Sequence, residues 1–520
     1  MVGDQKGITI PDLSRYRAGI LRLRGLRLIH THLQGEPLND EDLTDLALLR
    51  LDMMVALPLH GNHSRLSIQS AHLLPDNPDK KVWEIESPSS ISQFDLDFIK
   101  WIQSLEDEFQ RRQRSVPLRR GEEKAILISV SKESRERLEV SMEELKKLAE
   151  SSGVFVVDSI IQRPQTLSPI TLMGKGKLKE LLVQCMQWGV DLIIFDQNLT
   201  PGQSATISDL TELRVLDRTQ LILDIFAQRA HTIDGKIQVE LAQLKYLLPR
   251  LARKTLSLSR LTGGIGGRGP GETKLEIDRR RVADRIHFLE KELEKLSKRR
   301  EQRRSQRAKA GIPVLSIIGY TNAGKSTLFN LLTQSHFHVE NKLFSTLDTA
   351  TRRLRIPTPH RVVITDTVGF IKDLPKDLMG AFQPTFDELR ESDLLIHLID
   401  VSHPHFSEQM EAVEKTLFEL NLDGIPRLRV FNKEDQLNRE EVEALCEKYE
   451  GVSISALHPE SLEKFFQAIR RKLWEGDTTL NPESRFMGGR DNVRLTNEDS
   501  FDISNQKRMV EVRENDWKSF

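Results

Sequence analysis

The stretch Gly319-Tyr320-Thr321-Asn322-Ala323-Gly324-Lys325-Ser326-Thr327 sets two glycines, a lysine and a serine at the spacing Gly-x4-Gly-Lys-Ser. Glycines let backbone amides turn toward an anion. Lys325 can reach the β and γ phosphates of a nucleotide, and the Ser326 hydroxyl is a hard oxygen ligand for magnesium. The apolar run Val314-Leu315-Ser316-Ile317-Ile318 before it reads as a strand, and Thr327-Leu328-Phe329-Asn330-Leu331-Leu332 after it as a helix. The N-terminal dipole of that helix would face the anion. A chance glycine turn with a nearby lysine would have neither neighbour.

Three further stretches choose the nucleotide. Val362-Val363-Ile364 is an apolar strand running into Thr365-Asp366-Thr367-Val368-Gly369, a D-x-x-G. Asp366 is expected to hold magnesium, directly or through water, and the Gly369 amide to sense the γ-phosphate. Arg429-Val430-Phe431 leads into Asn432-Lys433-Glu434-Asp435. The Asp435 carboxylate can accept from both N1–H and the 2-amino group of guanine. Adenine offers no such donor pair and would leave the carboxylate unpaired. Ser455-Ala456-Leu457, at the end of a later strand, offers a backbone amide to guanine O6. In this order the set predicts a GTPase with Mg2+ as cofactor.

Between the phosphate loop and D-x-x-G lies Phe344-Ser345-Thr346-Leu347-Asp348-Thr349-Ala350-Thr351. One threonine here is expected to complete the magnesium shell and order the loop around GTP. Position alone leaves Thr346, Thr349 and Thr351 open. Phe370 follows D-x-x-G, where hydrolytic switch proteins often place a glutamine that orients water. Phenylalanine cannot do this, so hydrolysis by the chain alone is expected to be slow.

The elements around these residues give the fold class: α/β, with a doubly wound, mostly parallel sheet over residues 311–476. A smaller α/β unit is expected at 121–235, from strands at Ile126–Val130, Val154–Ile161, Leu192–Phe195 and Arg214–Leu216 alternating with helices. At 236–310, the stripe Ile237, Leu241, Leu244, Leu248, Leu251 faces the stripe Leu275, Val282, Leu289, Leu296 across the turn Gly263–Gly271. Two stripes joined in this way predict a long antiparallel helical hairpin. Residues 1–120 form an extension of unassigned role. It has a strand over Leu26–Leu33, then a helix capped at Asn39 or Asp40 and running through Leu43, Leu46, Leu49 and Met53. His30 and His32 would share one strand face with acidic residues soon after. Paired surface histidines are the simpler reading, and a metal site the rarer one. Phe109–Glu123 reads as a charged linker. Residues 477–520 read as a weakly structured tail, with a strand conceivable at Val510-Glu511-Val512.

The chain has 520 residues and a formal net charge of -1, but Glu272–Lys309 holds 14 Lys or Arg against 8 Asp or Glu. A neutral total therefore does not exclude an RNA partner. Lys298-Arg299-Arg300-Glu301-Gln302-Arg303 begins a basic run that reads either as a solvated helix face or as a phosphate contact, which makes Arg299, Arg300 and Arg303 candidates for meeting RNA phosphates. Two cysteines, Cys185 and Cys446, argue against a disulfide framework or zinc site. With neither a secretory leader nor an apolar run of membrane-spanning length, the expectation is a cytoplasmic protein, taken as a monomer. Gly174-Lys175-Gly176-Lys177 lacks the phosphate-loop spacing and reads as a helix start.

With these motifs the chain resembles the HflX family of translational GTPases over about residues 125 to 475. The marks are the phosphate loop, Phe344-Ser345-Thr346-Leu347-Asp348, Asp366-Thr367-Val368-Gly369-Phe370-Ile371 and Gly269-Pro270-Gly271-Glu272-Thr273-Lys274-Leu275-Glu276. Gly174–Lys177 and Phe195-Asp196-Gln197-Asn198-Leu199-Thr200-Pro201 add to them. The resemblance implies Thr346 as the magnesium threonine, beside Ser326 and Asp366. Lys325, Thr346 and Gly369 then act on the transferring phosphate. It implies the 50S subunit as partner, ribosome dissociation or rescue as function, and an rRNA contact through Gly266, Gly267, Arg268 and Gly269. Lys274 stands where the family usually has glutamine, and Pro384 falls within a helix after switch II. The competing readings are an RNA-binding anti-association module with incidental hydrolysis, and a GTPase of ribosome assembly or RNA modification.

Overall fold

The computed structural model describes residues 2–4, 7–9, 23–32, 35–58, 67–75, 81–86, 89–90, 97–114, 123–211, 213–262, 274–309, 311–333, 343–344, 350–355, 361–372, 379–380 and 382–475. Three sheets of four or more strands organise these residues, and two of them position the nucleotide motifs.

The extension begins with a short antiparallel pair, β1 (Val2–Asp4) and β2 (Gly7–Thr9). Its main sheet holds β3 (Arg27–His32), β4 (Met53–Pro58), β5 (Ser67–Leu73), β6 (Trp83–Ile85) and β7 (Ser89–Ser90). β3 and β4 run parallel, joined by α1 (Asp40–Leu48). Asn39 caps α1: its side chain accepts from the amides of Glu41 and Asp42, and Asp42 accepts in return from the Asn39 amide. The helix ends at Leu48, and Met53 opens β4, so the apolar stepping through Met53 belongs to two elements. Arg50 takes a left-handed φ of 49° and closes the helix where a glycine signal is missing. Alternate residues of β3 are buried, His30 and His32 among them, which corrects the reading of the two as surface histidines. α2 (Phe98–Arg114) is helical where the sequence predicts the start of a linker.

The second sheet is wholly parallel, ordered β11-β10-β8-β9. β8 (Lys124–Val130), α3 (Arg135–Ser151), β9 (Phe155–Gln162), α4 (Lys175–Trp188), β10 (Leu192–Phe195), α5 (Pro201–Thr211), β11 (Arg214–Asp217) and α6 (Arg218–Arg229) follow in turn. Every residue of β8 and β10 is buried, as befits parallel strands covered on both faces. α7 (Ile233–Thr262) and α8 (Lys274–Lys309) follow. Lys245–Glu290 and Arg285–Glu240 ion pairs link them, and Leu289 is buried. On α7, Arg250 lies over the Tyr246 ring and pairs with Asp217, the N-cap of α6. The Gly263–Gly271 turn lies outside the described residues.

The third sheet is ordered β13-β14-β12-β15-β16-β17 and is parallel except for the β13–β14 pair. It comprises β12 (Val314–Gly319), α9 (Lys325–Thr333), β13 (Ala350–Arg355), β14 (Arg361–Asp366), α10 (Gln383–Arg390), β15 (Leu394–Asp400), α11 (Phe406–Glu419), β16 (Arg427–Asn432), α12 (Arg439–Tyr449), β17 (Val452–Ile454) and α13 (Leu462–Arg470). Pro384 sits in the first turn of α10, where its missing N–H has no carbonyl to serve. It therefore starts that helix and does not break it. One continuous apolar cluster spans the second and third sheets: Leu127, Ile194, Leu221 and Phe226 join Tyr320, Phe344, Phe370, Phe382 and Leu395. No helix among the described residues is long and apolar enough to cross a membrane.

Candidate nucleotide-binding site

The phosphate loop leaves β12 at Gly319 and enters α9 at Lys325. Gly319 has a φ of 153°, and a Cβ there would lie 2.3 Å from the Leu398 carbonyl oxygen. Gly324 has a φ of 93°, and a Cβ there would lie 2.3 Å from Asn432 Nδ2. Both glycines are thus demanded by close approach as well as by conformation. Asn322, also at positive φ, completes the turn.

Lys325 is buried, and its ammonium donates to the carbonyls of Tyr320 at 2.8 Å and Gly319 at 3.2 Å. Burial pulls its pKa down to about 8, and the nearby Asp366 carboxylate opposes that shift. The Ser326 hydroxyl donates to Asp366 Oδ2 at 3.0 Å, and the Thr367 amide donates to Oδ1 at 3.0 Å. A hydroxyl and a carboxylate side by side at the end of a strand are hard oxygen donors, which fit magnesium and not a softer metal.

The D-x-x-G segment is sewn to the loop. The Phe370 amide donates to Gly319 O at 3.0 Å and the Thr321 amide donates to Phe370 O at 2.8 Å. A Cβ on Gly369 would meet Thr321 Cγ2 at 2.8 Å and Lys325 Nζ at 3.0 Å. Val368 is partly buried against the shared core. The Phe370 ring is itself part of that core and stacks on Phe386, with centroids 6.4 Å apart.

On the base side, Asn432 is buried. Its Nδ2 donates to Ala323 O at 2.8 Å, and its Oδ1 accepts from the Ala456 amide at 3.0 Å. One side chain thereby ties the phosphate loop to the Ser455-Ala456-Leu457 turn. Lys433 takes a left-handed φ of 66° and pairs with Asp400 at 2.6 Å. Glu434 and Asp435 form a short 3-10 turn in which Asp435 is exposed. Ser461 braces the Ser455 turn, its Oγ accepting from the Ser455 amide at 3.0 Å. Thr327 lies in α9. Of the magnesium threonine candidates, Thr351 stands in β13 with its hydroxyl 3.3 Å from that of Thr365, while Thr346 and Thr349 lie outside the described residues, as do Ser345, Leu347 and Asp348. Phe344 is described and buried.

Residues 139–227 match the family described as GTP-binding GTPase N-terminal, residues 229–307 the GTP-binding GTPase middle region, and residues 314–433 the 50S ribosome-binding GTPase. The chain is 45% identical over 358 residues to the GTPase HflX of Caldanaerobacter subterraneus subsp. tengcongensis, covering 69% of this chain and 82% of that one. It is 42% identical over 356 residues to the GTPase HflX of Escherichia coli K12, covering 68% and 83%. The chain belongs to the HflX family of GTPases. Among solved structures, a GTP-binding protein from Sulfolobus solfataricus in complex with GDP is 26% identical, covering 68% of this chain and 99% of that one with a TM-score of 0.38.

This HflX-family chain also uses residues that its motifs do not contain. Glu144 of α3 accepts from the Tyr320 hydroxyl at 2.5 Å. Arg218 pairs with Glu144 and, at 2.9 Å, with Asp196. Ser151 donates to Leu343 O at 2.9 Å. Phe226 packs edge-on against Phe344 and Phe382, at 4.7 and 5.1 Å between centroids. Thr385 donates to Gln238 of α7 at 3.3 Å. Asp400 had a visible signal, an acidic residue ending an apolar strand. Glu144 and Arg218 had none, because their partners are remote in sequence. Arg299, Arg300 and Arg303 lie in α8, with the side chains of Arg299, Arg300 and Arg303 outside what the structure describes. Gly266, Gly267, Arg268 and Gly269 lie outside the described residues entirely.

Proposed function

We propose that this GTPase is a ribosome-bound switch. Loaded with GTP it holds the large ribosomal subunit through the α/β unit and helical hairpin of residues 121–310 and promotes dissociation of the ribosome, and hydrolysis releases it. The observation that carries the reading is that the phosphate loop, Phe344 at the start of the segment with the magnesium-threonine candidates, and Phe382 beyond D-x-x-G all pack on helices of the second sheet. These contacts are Tyr320 on Glu144, Phe344 on Phe226 and Phe382 on Phe226. A displacement of Gly369 by the γ-phosphate would reach α3 through the phosphate loop, since Phe370 bonds Thr321 and Tyr320 bonds Glu144. The family description matched over residues 314–433, a 50S ribosome-binding GTPase, supports the large subunit as partner.

In this reading Lys325 turns its ammonium from the loop carbonyls to the β and γ phosphates. Asp435 reads guanine N1–H and the 2-amino group, with Asn432 and the Ala456 turn holding the base loop against the phosphate loop. Ser326, Asp366 and Thr346 would hold magnesium, which when bound offsets charge on the phosphate oxygens. The Gly369 amide donates to the γ-phosphate. Phe370, fixed in the core, leaves water unoriented, so another residue or the ribosome completes the site. Gly266, Gly267, Arg268 and Gly269 meet rRNA where side chains would obstruct, and Arg299, Arg300 and Arg303 meet phosphates in a salt-sensitive way.

The test measures co-sedimentation with 50S subunits in the presence of a GTP analogue, GDP or no nucleotide, alongside hydrolysis with and without subunits. Binding favoured by the analogue and hydrolysis raised by 50S are expected. Equal hydrolysis rates would sink the activation claim. Ribosome splitting that persists in Lys325→Ala would point instead to an RNA-binding anti-association module.

A further inference from the structure

Strand β3 of the extension places His30 and His32 on one face, and both residues are buried. Their Nε2 atoms lie 2.7 Å apart. Asp42, in the first turn of α1, brings Oδ1 to 3.4 Å from His30 Nε2 and Oδ2 to 3.5 Å from His32 Nε2. Ligand atoms of the three side chains all lie within 4.8 Å of one another.

The protons do not suffice for the acceptors. His32 Nδ1 lies 2.8 Å from the Glu36 carbonyl oxygen. That oxygen only accepts, so the bond places a proton on Nδ1, and the neutral form of the ring, the form that can ligate a metal, then presents its lone pair at Nε2. The ionised Asp42 carboxylate only accepts as well. A neutral His30 can bring at most one Nε2–H to both neighbours. Acceptors that converge around at most one proton, in a buried setting, form an arrangement that a cation resolves.

We propose that His30, His32 and Asp42 form a divalent transition-metal site of the zinc class, with the fourth position left to water. Two imidazole nitrogens and one carboxylate suit zinc or cobalt. Magnesium and calcium prefer oxygen donors alone. Bonds of about 2.0–2.2 Å set neighbouring ligand atoms roughly 3.3 Å apart, close to both His–Asp separations. The two Nε2 atoms need to open by roughly half an ångström, a small ring rotation. Outer partners are in place: Glu36 O orients His32, and the Asn39 amide donates to Asp42 Oδ2 at 2.9 Å. Bound there, the metal pins β3 to the helix that carries the chain over to β4. The site lies in the extension, outside the three matched family regions, and is independent of the nucleotide chemistry.

The experiment uses the full chain, stripped with chelator and kept in magnesium without nucleotide. Cobalt(II) is titrated by visible absorption, and zinc by competition with a chromophoric chelator. One cobalt per chain, with d–d bands that zinc displaces, is expected. Asp42→Asn, at a side chain 19% exposed, weakens zinc binding at least about tenfold. His30→Ala/His32→Ala removes it, and GTP hydrolysis is unchanged in both variants. Circular dichroism checks that the extension stays folded. If the histidine variant unfolds, the wild-type titration and Asp42→Asn decide alone. Wild-type protein that binds zinc no tighter than roughly 10 µM overturns the proposal, and so does folded Asp42→Asn with undiminished affinity.

Discussion

Tyr320 donates its phenolic proton to Glu144 at 2.5 Å, from the second position of the phosphate loop to a helix of the preceding sheet. The same hydroxyl accepts from the Lys372 amide at 2.9 Å, just beyond D-x-x-G. Burial, and then the Glu144 charge, hold the phenol pKa above its ordinary value, so Tyr320 remains a donor. Glu144 is shared with Arg218, and Arg218 with Asp196. A chain of charge-assisted bonds therefore leads from the nucleotide loop to the end of β10.

Removing the hydroxyl tests that chain. Tyr320→Phe keeps the ring and leaves Glu144 paired with Arg218, so the expected loss is about 1–2 kcal/mol of stability, read by denaturant titration. Nucleotide affinity stays within a few-fold, while stimulation of hydrolysis by 50S subunits falls. A fall in affinity with intact stimulation would assign Tyr320 to the nucleotide alone.

Lys325 gives a pH dependence of defined sign. Burial holds its free pKa near about 8, and bound phosphates favour the ammonium. Binding then takes up a proton wherever the free lysine is neutral. Affinity for GDP should be full below about pH 8 and fall about tenfold per pH unit above it. Isothermal titration between pH 7 and 9 reads the slope. Lys325→Ala binds weakly at every pH and shows no such slope.

Asp435→Asn tests the proposed base reading, because it replaces a pure acceptor with a group that also donates. GTP affinity should fall by at least about a hundredfold, two charge-assisted bonds being lost. Xanthosine triphosphate, which carries a carbonyl in place of the 2-amino group, should gain affinity. Competition against a fluorescent GDP analogue distinguishes the two, and equal losses for both nucleotides would refute the base-reading role.

Phe370→Gln installs the residue that hydrolytic switch proteins often carry, yet it should not speed hydrolysis. The ring is 3% exposed and stacks on Phe386, so a glutamine there creates a cavity and buries an amide. The expected cost is about 3 kcal/mol or more in stability. Single-turnover hydrolysis faster than wild type would show that the side chain reaches the phosphate after all.

The legible parts of this chain were local. Glycine spacing, a flanking apolar strand and a following helix fit within one stretch, so β12, the phosphate loop and α9 could be read directly. D-x-x-G and N-K-x-D were legible for the same reason. The partnership of Tyr320 with Glu144 joins positions 176 residues apart and leaves no periodic trace. The end of α1 was missed because Arg50 adopts the left-handed conformation that glycine would have advertised. Alternation along β3 was visible, but which face turns inward depends on tertiary packing, with Asp42 of α1 meeting both histidines. Pro384 does fall in a helix, as its sequence context suggested, but in the first turn, where it starts the helix.

Phe226 packs against both Phe344 and Phe382, with Tyr320 and Phe370 in the same apolar cluster. The two sheets are therefore not modules that can be separated with scissors. A fragment beginning near Gly311 would lose the Phe226 ring and uncover Phe344 and Phe382, and exposed apolar patches of this kind drive self-association. The isolated fragment should precipitate or oligomerise in gel filtration where the full chain does not, and adding residues 123–262 in trans should rescue it.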